Sequence, residues 1–152
     1  MHQSAILAPI ALLASLGMAQ ASGGLWCDIV DHNLEFHVSA TEPESSGYPL
    51  RLENTLQVFD AEAPKELQDF QFRQGDLMRH WHDGREGGSL KLRFARLGSR
   101  DESFNVVELI INAPRVDEGS FKGSYILRIS PARPIRGKDE IRENGFVSCA
   151  AN

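Results

Sequence analysis

Two histidines flank a tryptophan in His80-Trp81-His82. On an extended strand, residues two apart share a face at a spacing of roughly 6–7 Å, so both imidazoles would project the same way. That arrangement suits two ligands of one Zn²⁺ or Cu²⁺ ion. His37 is the preferred third ligand, because alternation in its own segment sets it on a polar face; His32, Asp83 and Glu35 are the substitutes. Arg79 and Arg85 stand nearby and oppose a cation. A solvated strand face carrying two histidines is therefore the simpler reading, and metal binding is the alternative.

Other chemistry finds fewer residues. Cys27 and Cys149 are the only cysteines, lack C-x-x-C spacing and stand near the two ends of the chain. An even count in an exported chain argues for one disulfide joining them. There is no G-x-S-x-G elbow, and a disulfide consumes both thiols, so nucleophilic catalysis has no obvious agent. The Gly84–Gly88 region lacks the Lys-Ser/Thr of a phosphate loop. Paired carboxylates, Asp117-Glu118 and Asp139-Glu140, sit in loops as solvated charge. The expectation is a protein without catalytic residues. Tyr48, between Gly47 and Pro49 in a loop, is the candidate contact residue for a binding function.

The elements that must carry these residues are strands. Residues 34–41 alternate cleanly, with Leu34, Phe36, Val38 and Ala40 on one face and Glu35, His37, Ser39 and Thr41 on the other. Residues 25–30 precede them across an Asp-His-Asn turn and complete a hairpin. Residues 50–59 form a third strand, in which Asn54 falls on the apolar parity and marks a bulge or a buried amide that needs partners. Residues 67–72, 76–83, 90–97, 124–130 and 145–149 are further short strands. Residues 104–113 are apolar at both parities, which predicts a strand covered on both sides and closed by Pro114. Within residues 76–83, Trp81 shares parity with Leu77 and reads as a core anchor. Trp26, beside Cys27, fits packing against the disulfide.

Only residues 61–68 hold the makings of a helical turn. About eight short strands separated by turn clusters predict an all-β fold, a single antiparallel sandwich or barrel tied from first strand to last by the disulfide. Length suits one domain, residues 22–152.

The start of the chain reads as a signal peptide, residues 1–21. Residues 6–18 are apolar and uncharged, and Ala19-Gln20-Ala21 supplies a cleavage site. The apolar run is too short for a span of about 20 residues, so no membrane span is expected. The mature protein is then periplasmic or secreted.

Net charge is −5. Residues 22–76 carry eleven acids against three bases, and residues 77–152 thirteen bases against ten acids. This balance does not suggest nucleic acid. It serves as a solubilising surface, or favours a basic partner on the N-terminal side.

Four short segments, Trp81-His82-Asp83-Gly84, Leu90-Lys91-Leu92, Val107-Glu108-Leu109 and Gly123-Ser124-Tyr125-Ile126-Leu127, resemble those of small exported bacterial β-proteins of unknown function. The resemblance implies the same fold and compartment and no activity. Small acidic single-disulfide β-domains of the periplasm include lysozyme inhibitors, and Ser46-Gly47-Tyr48 resembles the short loops those inhibitors use. The functional expectation is a non-enzymatic, inhibitor-like binding protein whose partner is a protein or a cell-envelope component. The alternative is a periplasmic Zn or Cu protein using His80 and His82.

Overall fold

Alternating sequences fold here as alternating strands. In the computed structural model, which describes residues 23–42, 51–82 and 87–152, eight strands are seen among the described residues. They are β1 (Gly23–Val30), β2 (Leu34–Glu42), β3 (Arg51–Val58), β4 (Leu77–His82), β5 (Ser89–Leu97), β6 (Phe104–Asp117), β7 (Ser120–Pro131) and β8 (Ile141–Ala151). The residues expected to form a signal peptide, the loop that carries Tyr48, and Asp83 lie outside the described residues, as do the side chains of Trp81 and His82.

All strands pair antiparallel in one sheet of order β3-β2-β1-β8-β7-β6-β5-β4. Two meanders, β1 to β3 and β4 to β8, are therefore joined by pairing of the first strand with the last. The sheet curls on itself as a half-barrel, not as a two-sheet sandwich. The Phe36 ring of β2 packs edge-on against Phe94 of β5 at 5.7 Å, although four strands separate them in the sheet. Buried side chains from every strand line the concave side, among them Leu25, Ile29, Phe36, Leu56, Leu77, Phe94, Leu109, Tyr125 and Val147.

The open side of the curl lies between β3 and β4, and the connection joining them covers it. A 3-10 turn, Lys65–Gln68, buries Leu67, which agrees with the expected helical turn. Phe70 then exchanges two backbone hydrogen bonds with Leu56, at 2.8 and 2.9 Å. Two residues on, the Asn54 side chain takes over the pairing: its amide donates to the Phe72 carbonyl and accepts the Phe72 N–H, both at 2.8 Å. Asn54 is thus a buried amide with both functions satisfied. Phe70 and Phe72 turn inward to Phe104, Phe36 and Phe94. The expected strand over residues 67–72 is replaced by this turn and a single bridge.

At the closed end of the first hairpin, Asp31 takes the Asn33 and Leu34 N–H groups on Oδ1, and the buried Tyr125 hydroxyl on Oδ2 at 2.7 Å. Burial pushes the Asp31 carboxyl up, but these three hydrogen bonds outweigh it and hold it below its ordinary value.

Further expectations need correction. β6 is not covered on both sides: Val107, Leu109 and Ile111 are buried, whereas Val106 and Ile110 are only half-buried on the convex face. A bulge between Phe104 and Val106 turns Phe104 to the same side as Val107 despite its opposite parity. Pro114 does not end the strand, which continues to Asp117 and pairs with β7. Trp26 does not pack with the disulfide. Cys27 and Cys149 face inward, and Trp26, one residue away, stands on the convex face, 44% exposed.

Candidate functional site

The convex face of β1 to β3 is assembled by register. Asp28 lies opposite His37, and His37 opposite Thr55; one rung away, Trp26 lies opposite Ser39, and Ser39 opposite Glu53. Directly paired antiparallel residues point to the same side, so these six side chains form two adjacent rows. With Leu52, Gln71 and Phe72 they line a depression of about 620 Å³.

His37 is the electrostatic centre of this face. Its Nδ1 meets Asp28 Oδ1 at 2.6 Å, and its Nε2 meets Glu35 Oε1 at 2.8 Å. The hydrogen bond to Asp28, followed by that to Glu35, raises the His37 pKa above 6.5 against a smaller effect of burial. Glu53 is paired with Arg51 at 2.5 Å on the same strand. The carboxylates around Trp26 thus have partners within the sheet: a guanidinium for Glu53, and for Asp28 and Glu35 an imidazole that is cationic when protonated.

Gly24 gives the indole its place. A Cβ on Gly24 would come within 2.7 Å of Trp26 Cη2 and 2.9 Å of Cζ2, so the ring occupies space that only glycine leaves open. The Gly24 backbone is itself fixed by Asn152, which accepts the Gly24 N–H on Oδ1 at 2.7 Å and donates its own N–H to the Gly24 carbonyl.

No protein-family model, curated protein or solved structure matches the chain.

The sequence-predicted residues are therefore placed by geometry alone. Cys27 and Cys149 face each other across β1 and β8 and form the disulfide. His37 lies on the polar face of β2, as its alternation predicts. His80 is half-buried on β4, opposite the buried Leu92. β2 and β4 are separated by five strands in the sheet order, and both nitrogens of His37 are taken by carboxylates. Among the described residues, no group of three or more His, Cys, Asp and Glu is disposed to hold a metal ion. A bulge between Leu77 and Arg79 breaks the parity that linked Trp81 to Leu77, and the ladder sets Trp81 opposite Lys91.

Trp26, Glu53 and Thr55 are functional candidates that sequence reasoning missed, and Asp28 and Ser39 enter that reasoning only as members, with His37, of a Ser-His-Asp set that any serine-rich domain would offer. The signal was present in the parity of β1. Trp26 shares its phase with Asp28, while Cys27 shares its phase with Leu25 and Ile29, so an inward cysteine requires an outward tryptophan.

Proposed function

We propose that the protein is an exported, non-enzymatic binding protein of the bacterial cell envelope, whose contact surface is the convex face of β1 to β3. The observation that carries this reading is the exposed Trp26 beside a depression lined by both polar and apolar side chains. Large aromatics exposed among fixed polar groups are the usual anchors of recognition surfaces. The disulfide and the apolar leader favour an oxidising compartment outside the cytoplasm. His37 supports binding over catalysis, since both ring nitrogens are engaged by carboxylates and neither is left to activate a nucleophile.

The test uses the purified, disulfide-bonded mature protein and washed envelope fractions. Wild type should co-sediment with one fraction, and Trp26→Ala should abolish that association while its far-ultraviolet circular dichroism is unchanged. Equal co-sedimentation of the two proteins would remove Trp26 from the contact and the reading with it. Intact-mass measurement on exported material should give an N-terminus at Ser22; a soluble form retaining Met1 would contradict export through this leader.

A further inference from the structure

We propose, building on the binding-protein reading, that the Trp26 depression is a saccharide-binding subsite whose ligand is a neutral or N-acetylated glycan chain. Three features of the site lead to this ligand class.

The first is the platform. A sugar ring presents a flat patch of C–H groups on one face and hydroxyls around its rim. The C–H patch is matched by an accessible aromatic ring, and Trp offers the largest such surface. Trp26 is accessible, and the bare backbone of Gly24 lets its six-membered ring lie over β1. Asn152 holds that piece of backbone from both its N–H and its carbonyl.

The second is the rim. Asp28, His37, Ser39, Glu53, Thr55 and Gln71 border the depression. They provide hydroxyls that donate and accept, carboxylates that accept, and an amide that does both. The strands fix their spacing at roughly 4.8 Å across the sheet and about 6.7 Å along it. That grid is on the scale of the hydroxyls of one pyranose and of the step to the next. A volume of about 620 Å³ falls within the range of small-ligand sites, about 300–1,000 Å³.

The third is charge. A cationic protein would be drawn by uncompensated carboxylates, but here Asp28 and Glu35 share the imidazole of His37, and Glu53 carries Arg51. The site keeps its acceptors while losing most of the field that steers a polycation. Three carboxylates against at most two cations leave a small residual negative charge, which disfavours sulfated or uronate-rich chains. A polyhydroxylated ligand without net charge fits both conditions.

The experiment is a panel of immobilised oligosaccharides in three groups, neutral, N-acetylated and anionic, followed by calorimetry on soluble forms of those that bind. Wild type should bind members of the first two groups. Trp26→Ala should weaken that binding at least about tenfold, as expected for a central aromatic anchor. Gly24→Ala keeps the indole but displaces it, so it should weaken binding and shift tryptophan emission together. Thr55→Ala, an exposed change on β3, guards against misfolding as the cause and should weaken binding by a smaller factor. Preference for anionic glycans, Trp26-dependent capture by immobilised polylysine in place of any glycan, or equal glycan binding by wild type and Trp26→Ala would each overturn the proposal. If no glycan binds while Trp26→Ala still abolishes envelope association, the saccharide assignment falls and the binding-protein reading stands. If Trp26→Ala changes neither, both fall.

Discussion

His37 is gripped from two sides, and both contacts need a proton on the imidazole nitrogen that makes them. Asp28 and then Glu35 raise its pKa above the unfolded value of 6.5. A group whose pKa is raised by folding stabilises the native state fully below its unfolded pKa, and that contribution fades as pH rises through the folded value. The difference in urea midpoint between wild type and His37→Gln should therefore be largest near about pH 5.5 and shrink above neutrality. The side chains are nearly half exposed, so a modest difference is expected. A gap that widens with increasing pH would contradict the double ion pair. The same residue shows what a sequence reveals at this scale. Alternation alone set His37 on the polar face of its strand. Glu35, two residues back, was on the same face by that alternation, whereas Asp28, across the hairpin, became visible only with the register, which the turn after Val30 fixes. Tyr125 and Asp31 lie 94 residues apart, and no local pattern could join them.

At the scale of elements, β3 is one edge of the sheet, where unpaired backbone could take another chain, and Asn54 helps the connection cover it. Its amide copies a backbone peptide, giving Phe72 both a donor and an acceptor where no further ladder partner is available. Asn54→Leu would preserve volume while leaving the Phe72 N–H and carbonyl unmatched, at a cost of about 2 kcal/mol or more. Denaturant unfolding measures the loss. Hydrogen exchange should find it concentrated at Leu56 and Phe70, whose mutual bonds depend on the same docking. Unchanged protection there would mean that Asn54 does not hold the connection. The strands themselves were legible because inward and outward residues alternate in β1, β2, β3 and β5 with few exceptions. What escaped were the bulges, at Leu77/Arg79 in β4 and at Phe104/Val106 and Arg115/Asp117 in β6. One extra residue inverts every parity beyond it, and nothing in the local composition marks its position. The extent of β6 escaped for a related reason: Pro114 lacks an N–H, but Arg115 supplies the next bond to Gly88 and the strand resumes.

Taken as a whole, the molecule depends on one seam. β1 and β8 are the join between its two meanders, and the Cys27–Cys149 disulfide crosses that join between directly paired residues, 122 apart in sequence. Cys149→Ser should lower stability by about 2–5 kcal/mol in equilibrium unfolding, the range expected when so long a loop is released. Loss of less than about 1 kcal/mol would mean that the strand pairing alone holds the two halves. Charge is also shared between the halves. Glu62, from the acidic first part of the chain, receives Arg136 and Lys138 from the basic second part, at 2.8 and 3.1 Å. Some of the asymmetry seen in the sequence is thus met inside the molecule. The seam has a further consequence for how the chain can be rewired. The backbone at Gly23 lies beside that of Asn152, since a Cβ on Gly23 would come within 2.8 Å of the Asn152 carbonyl oxygen. A short glycine linker between those residues, with new ends opened between the exposed Arg100 and Asp101, gives a circular permutant in which β1 and β8 become an ordinary hairpin. The longest-range pairing of the native chain becomes one of its shortest, and the closure entropy attached to it nearly vanishes. Such a permutant should refold faster than the parent when both are compared in reduced form, and should lose far less stability on reduction, because in it the disulfide closes only a small loop.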